Sequence, residues 1–396
     1  MRRHYLSYAD WSWREYVSVV SCLLRGQIYR GPNPAVLAAA LSLMYAPSTV
    51  YLANFAHHAI SIALGVCMRE QPARTEVIVP AYVCPSVIQA VLTCGLKVRT
   101  VEVLDDLNID PFAVEQAIST ETLAVIAPHM YGCPAKISEI EAVCTQRGVF
   151  LIDDAAQVVG VESNGRLLGT FGDFGVISFA QSKTIVTGIR GAGGVLIVNK
   201  PKFTEQIGEI FNALPVANQR VWPFVDFLWN YIGSFVTGNS GYYFGRIFSK
   251  ISRSELKITP ATHISNFEAG IALVQLQRLD EIKCDKLRIS NAYFQALKKY
   301  PHIQFPQFAP DRFLARVMLS LPVGVDVDLF RTIVKNKGVE TRAGYQSQRT
   351  AAIDSKSLSH IEQRLIGVPV RAGMSVEQIE EICTVVGGIS RSVKLN

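Results

Sequence analysis

The sequence predicts an α/β protein, with a mainly parallel sheet covered by helices on both faces and a smaller α+β region after it. Three observations carry this. Between residues 76 and 198, strand-length apolar runs alternate with helix-length segments. Several of those runs are apolar without alternation, as strands buried on both sides must be. After about residue 255 the pattern changes to long helical spacings with a single short strand-like run. The expected organisation is a large domain over 1–255, including an N-terminal helical segment and an aromatic insertion at 222–248, and a small α+β domain over 256–396.

The elements follow in order. Glu76–Pro80 reads as a strand, Pro85–Leu92 as a helix ending at Gly95, and Val98–Val103 as the next strand. Asp110 is placed to cap a helix with Pro111 at its first position, where a missing N–H costs nothing. Leu123–Pro128 is a continuously apolar strand. Ser138 and Glu141 have the spacing of a capping box for a helix that runs to Arg147 and stops at Gly148. Phe150–Ile152, Val176–Phe179 and Gly194–Val198 complete the strands. Beyond them, Phe267, Ile271, Val274 and Ile282 keep helical spacing on one helix of roughly 30 residues that bridges the two parts. Val317–Leu321 is strand-like, and Ser375 with Gln378 starts the closing helix, whose apolar face is Ile379, Ile382 and Val386.

Composition narrows the function. The net charge is +6, but the basic residues are scattered and form no run or aromatic-interleaved helix, which argues against a nucleic-acid partner. None of the eight cysteines falls in a CxxC pair or a zinc-type cluster, so no metal site is expected and reduced thiols in the cytoplasm are the preferred reading. Two apolar stretches stand out, 31–68 without formal charge and the aromatic 222–248. Prolines, histidines, asparagines and Asp226 interrupt them, so buried segments are preferred over membrane spans. A peripheral surface resting on lipid, with Trp11, Trp13, Trp222 and Trp229 at the interface, stays open as the alternative.

The chemistry sits at two strand ends. Leu151-Ile152-Asp153-Asp154-Ala155-Ala156-Gln157 puts an acid just past one apolar run, and Ser178-Phe179-Ala180-Gln181-Ser182-Lys183 puts an amine just past the next. Open sheets bind ligands at such carboxyl ends. Pyridoxal phosphate (PLP) needs both groups, a lysine for its aldehyde and a carboxylate to keep its ring nitrogen protonated. Singly, Asp154 reads better as a cap and Lys183 as a solvated loop residue; together in this context they favour the cofactor.

These motifs, with Gly169-Thr170-Phe171-Gly172-Asp173, Val79-Pro80-Ala81-Tyr82, His129-Met130-Tyr131-Gly132 and Pro369-Val370-Arg371-Ala372-Gly373, resemble the DegT/DnrJ/EryC1/StrS family of sugar aminotransferases from about residue 30 to the C-terminus. The resemblance implies the fold of aspartate aminotransferase and a homodimer with sites at its interface. It implies that Lys183 forms the Schiff base and moves the proton, that Asp154 pairs with the pyridine nitrogen, that Gln157 lies against the ring or its 3-oxygen, and that Ser178 bonds the phosphate. Glutamate is the implied amino donor and a keto sugar nucleotide or related cyclic ketone the acceptor.

The chain departs from the family pattern around this core. Phe55-Ala56-His57 stands where a Ser-Gly-Thr turn is usual, leaving Ala56 and His57 as phosphate contacts through backbone N–H, while the His57 imidazole reads equally as a donor to the phosphate or as a satisfied surface histidine. Cys84 replaces a ring-stacking aromatic, and Tyr82 is the substitute two residues away. Ala261-Thr262-His263 replaces the partner-subunit Asn-Tyr-Arg. The glycine loop is longer, Thr187-Gly188-Ile189-Arg190-Gly191-Ala192-Gly193-Gly194, which makes Arg190 a substrate-side anion contact. Tyr131 reads equally as core or substrate-facing. Rival readings are a PLP enzyme of another outcome and a non-catalytic, membrane-associated relative. Relatives that dehydrate sugars carry histidine in place of the lysine, so Lys183 argues against that outcome, and the Asp154–Lys183 pair argues against an idle site.

Overall fold

The computed structural model describes residues 3–6, 11–187, 193–216, 260–345 and 364–392. Arg190 and the whole 222–248 segment, with Trp222 and Trp229, lie outside them.

Two helices open the chain, α1 (Trp13–Leu24) and α2 (Asn33–Met44). The large part then runs β1 (Thr49–Ala53), α3 (Ala56–Glu70), β2 (Glu76–Pro80), α4 (Pro85–Thr93), β3 (Lys97–Val101), α5 (Pro111–Ala117), β4 (Thr122–Pro128), α6 (Ile137–Arg147) and β5 (Phe150–Asp154). A short hairpin, β6 (Glu162–Ser163) and β7 (Arg166–Leu167), leads to β8 (Phe174–Ser178), β9 (Gly194–Val198) and α7 (Thr204–Asn212). The seven-stranded sheet has the order β1-β9-β8-β5-β4-β2-β3. Strands β3, β2, β4, β5 and β8 are parallel, and β9 runs antiparallel between β8 and β1.

Alternation along each strand feeds two cores. Leu151, Ile177 and Ile197 face one side, with Leu37 and Leu41 of α2 and Ile137 and Ile140 of α6. Ile152, Val176 and Leu196 face the other, under α3, α4 and α7. The same alternation places Asp154, Ser178 and Gly194 on the α3 side and Asp153 on the opposite side.

The later part comprises α8 (Asn266–Gln277), α9 (Leu279–Leu297), β10 (Met318–Ser320), α10 (Val327–Asn336), β11 (Arg342–Ala343), β12 (Leu365–Gly367) and α11 (Val376–Ser392). The three strands pair antiparallel in the order β10-β12-β11. Their core, with Ile289, Tyr293, Phe330, Ile366 and Ile382, is separate from that of the large sheet, which includes Ile264, Ala269, Ala272 and Leu279. Among the described residues no helix is long and apolar enough to cross a membrane.

Two expectations change. The single helix of roughly 30 residues is two, broken at Arg278, where φ is −110° and ψ 16°. Arg278 is held there by ion pairs to Glu15 of α1 at 2.7 Å and to Glu281 at 3.0 Å. The Ser138–Glu141 capping box is absent. Lys136 is the N-cap of α6 and makes no side-chain cap bond. Glu141 instead accepts from Gly172 N at 2.6 Å and pairs with Arg166 at 2.9 Å, so a loop from beyond β7 takes the carboxylate that spacing assigned to the helix end. The other caps form as expected: Asp110 accepts from Phe112 N, Gly148 ends α6 with φ 61°, and Ser375 and Gln378 bond reciprocally.

Candidate active site

The carboxyl ends of β1, β2, β4, β5 and β8, with the start of β9, bring residues 54–57, 81–84, 129–131, 154–157, 178–183 and 193–194 to one edge of the sheet. Adjacent carboxylates there have opposite surroundings. Asp153 is fully buried and saturated: Oδ1 bonds His129 Nε2 at 2.7 Å, and Oδ2 accepts from Gly169 N at 2.6 Å and Phe171 N at 3.1 Å. His129 Nδ1 accepts from Ala135 N at 2.9 Å, so the ring carries its proton on Nε2 and donates it to Asp153. Asp154 is also buried but, among the described residues, its side chain accepts one hydrogen bond, from Ala156 N to Oδ1 at 3.1 Å. Burial raises its carboxyl above the ordinary range, against the opposing pull of Lys183.

Lys183 follows β8 in a tight loop. Ser182 before it has φ 62°, a left-handed conformation that costs an L-residue about 1 kcal/mol. The loop is tied down by Thr184 Oγ1 donating to the Gln157 carbonyl at 3.1 Å and by Lys286 Nζ donating to the Lys183 carbonyl at 3.4 Å. The Lys183 amine is buried, and its pKa is lowered to about 8, first by desolvation and also by the Arg316 guanidinium, while Cys84 and Asp154 act in the other direction. A buried amine of this pKa holds a substantial neutral fraction near pH 7 to 8, as a proton-transferring base requires.

The phosphate end is made by backbone. Helix α3 starts at Ala56 after Phe55, and no side chain caps it, so its first N–H groups are free of a protein cap. Gly194, paired with Ser178, packs against it: a Cβ at 194 would collide with the Phe55–Ala56 backbone. Ser178 is buried, and its Oγ accepts from Ala180 N at 3.3 Å. His57 is held neutral, its pKa lowered to about 4 by burial and then by the neighbouring His58, and its ring stacks on Phe55 at 5.2 Å. At neutral pH it offers an N–H and no charge.

A tyrosine cluster closes the opposite wall. The Tyr82 hydroxyl bonds that of Tyr131 at 2.7 Å and accepts from Tyr345 N at 3.0 Å, and the rings of Tyr131 and Tyr345 stack at 5.6 Å. Tyr82 and Tyr131 are both buried. Sequence reasoning assigned no role to Asp153, His129, Arg316 or Tyr345. The Asp-Asp doublet signals the first, since strand alternation forces the two acids to opposite faces. Gly169-Thr170-Phe171, seen in the sequence only as a motif, supplies the N–H groups that saturate Asp153.

The family model described as the DegT/DnrJ/EryC1/StrS aminotransferase family matches residues 14–387. The chain belongs to this family. It is therefore a PLP-dependent aminotransferase. Among DegT/DnrJ/EryC1/StrS relatives it is 26% identical over 351 residues to the GDP-perosamine synthase of Vibrio cholerae, covering 85% of this chain and 84% of that protein. Helicobacter pylori PseC, an aminotransferase involved in the biosynthesis of pseudoaminic acid, superposes with a TM-score of 0.77 at 15% identity over 99% of this chain and 100% of its own. The aminotransferase TlmJ from Streptoalloteichus hindustanus gives 0.77 at 20% identity over 99% and 100%. These structural likenesses establish the fold.

The site suits the family's cofactor on its own evidence. Among the described residues, Gln157 Oε1 is buried without a partner, Asp154 has hydrogen-bonding capacity to spare, and the α3 N-terminus has no side-chain cap. A protonated pyridine nitrogen and a phosphate satisfy the last two.

Proposed function

We propose that the protein transfers an amino group from an amino-acid donor, glutamate by family resemblance, to a keto carbon of a nucleotide-linked sugar or related cyclic ketone, and does so as a homodimer. In this reading Asp154 holds the pyridine nitrogen, Gln157 the ring or its 3-oxygen, and Ser178 with the backbone N–H groups of Ala56 and His57 the phosphate. Tyr82 leans toward the ring where Cys84 gives no aromatic face. Bound there, PLP supplies an electron sink that acidifies the C–H beside the transferred nitrogen. Lys183 Nζ takes that proton from the donor's α carbon in the first half and delivers one to the former keto carbon in the second. Burial serves the lysine by keeping it partly neutral and keeping water from its proton.

The observation that carries this reading is the contrast between the two neighbouring acids. A saturated Asp153 is structural, while Asp154, equally buried and coupled to Lys183, is left with an oxygen for a cationic ring. The acceptor class comes from the relatives. One carries a GDP-linked product in its name, and another is described in the biosynthesis of pseudoaminic acid. The test is a visible spectrum of purified protein with PLP, before and after L-glutamate, followed by a panel of keto sugar nucleotides. The expected result is a visible band that glutamate bleaches with release of 2-oxoglutarate, and an aminated sugar nucleotide. Absence of that band, or an unchanged spectrum with every amino acid tried, rejects the proposal.

A further inference from the structure

Arg316, just before β10, brings a guanidinium to the site from outside the large sheet. Its backbone is fixed first. Tyr131, at φ 58°, and Gly132, at φ 105°, form a tight turn whose Tyr131 carbonyl accepts from Ala315 N at 2.8 Å and Arg316 N at 3.3 Å. A Cβ on Gly132 would lie 2.7 Å from Ala315 N, so the two segments approach closely only because that residue is glycine. The side chain is then held from two directions. Nε donates to the Ser182 carbonyl at 3.3 Å, and Nη1 donates to the Tyr345 hydroxyl at 3.4 Å. The guanidinium carbon lies 5.7 Å from the Tyr131 ring centroid and 5.8 Å from that of Tyr345.

What the group lacks, among the described residues, is an acid. Among the described residues no carboxylate pairs with Arg316, and Nη2 makes no hydrogen bond. The groups that act on its charge are three tyrosines and Cys84, none of them a carboxylate. A partly desolvated guanidinium without a counter-ion is costly, and here it stands near a second cationic group, the Lys183 amine. Aromatic faces offset part of that cost but leave the Nη1–Nη2 edge, a planar pair of donors, unused.

We propose that Arg316 is the receptor for the α-carboxylate of the amino donor, which takes the fork of N–H groups at the Nη1–Nη2 edge while Tyr131 and Tyr345 hold the guanidinium in place. This rests on the reading of Lys183 as the amine that handles the transferred nitrogen. Distance along the substrate selects the carboxylate over the other anion available, a nucleotide diphosphate. The α-carboxylate is bonded to the same carbon that loses its proton to Lys183, and Arg316 is bonded to the residue next to Lys183. A diphosphate is separated from its keto carbon by part of a sugar ring. A carboxylate also matches a planar two-donor edge.

The test uses holoenzyme of the wild type, Arg316→Gln and Arg316→Lys. Single-turnover conversion of the cofactor is followed with L-glutamate and with 2-amino-1-propanol, an amine without a carboxylate, and KM for the keto sugar nucleotide is measured in the full reaction. Arg316→Gln is expected to raise the half-saturating glutamate concentration about 10²-fold, the loss of a charge-assisted bidentate pair. Arg316→Lys is expected to fall between, with the amino-alcohol rate, measured at a pH where the lysine-dependent step has levelled off in every variant, and the acceptor KM unchanged for both. An unchanged glutamate requirement overturns the inference, as does a rise confined to the acceptor KM, which would make Arg316 a diphosphate contact. Equal loss in all three arms with a lowered Tm would make it a packing residue and overturn it too. A wild type that converts neither amine rejects the aminotransfer reading itself, and this inference with it.

Discussion

The two walls of the site satisfy their polar groups differently. On the strand-end wall, Asp153 is gripped by bonds of 2.6 to 3.1 Å from His129, Gly169 and Phe171. All of these join neighbouring parts of one sheet. On the facing wall, Arg316 and Arg342 reach Ser182 with bonds of 3.3 and 3.4 Å, and the Tyr82 hydroxyl accepts from Tyr345 N across the halves at 3.0 Å. The groups expected to perform proton transfer stand on the tightly braced side, where position must be exact to fractions of an ångström. Those expected to recognise substrate stand on the looser side.

That contrast breaks most visibly at Lys183. Lys183→Ala is expected to lower turnover by at least about 10⁴-fold and to remove the visible band, while leaving Tm unchanged or raised, because a buried amine is lost. Retained activity would show that the braced wall is not the reacting one. The adjacent acids sharpen the point. Asp154→Asn is expected to lower turnover about 10²- to 10³-fold without lowering Tm. Burial raises the Asp154 carboxyl, so its contribution to stability falls as pH rises through its titration, and asparagine removes that dependence. Asp153→Asn is expected to destabilise by about 2 to 4 kcal/mol, since an amide cannot accept from both backbone N–H groups and the imidazole. Thermal melts and initial rates of both variants check this, and interchanged outcomes would reverse the assignment of the two acids. The smallest effect links the walls. The rate of the lysine-dependent step should rise with pH and level off above about 8, because the neutral amine is the base. In Arg316→Gln the inflection should move to higher pH, since removing a neighbouring cation makes the ammonium easier to hold. A pH–rate profile with the same inflection in both proteins would separate the walls electrostatically.

The same division governs what the sequence disclosed. The strands at 76–80, 122–128 and 194–198 were legible because short apolar runs bounded by turns are local signals. The placement of Asp154 and Lys183 at neighbouring strand ends was legible because strand ends present residues at fixed offsets. Glu141 and Arg278 misled because their partners, Gly172 and Glu15, are remote in sequence, and a distant partner can outbid a cap or interrupt a helix whose apolar spacing continues through it. Arg316 gave one faint sign, a charge inside the otherwise apolar run Phe313-Leu314-Ala315-Arg316-Val317. Nothing near it names Ser182 or Tyr345 as its contacts.

The clasp between Tyr82, Ser182, Arg316, Arg342 and Tyr345 joins residues 134, 160 and 263 positions apart along the chain. Contacts of such reach bear the largest loop-closure entropy and form only after the local order beneath them exists. The clasp is thus expected to be among the last features the chain forms as it folds. A nascent polypeptide that has completed its large sheet but not yet synthesised residues 316–345 lacks every one of these bonds to Ser182 and Tyr82.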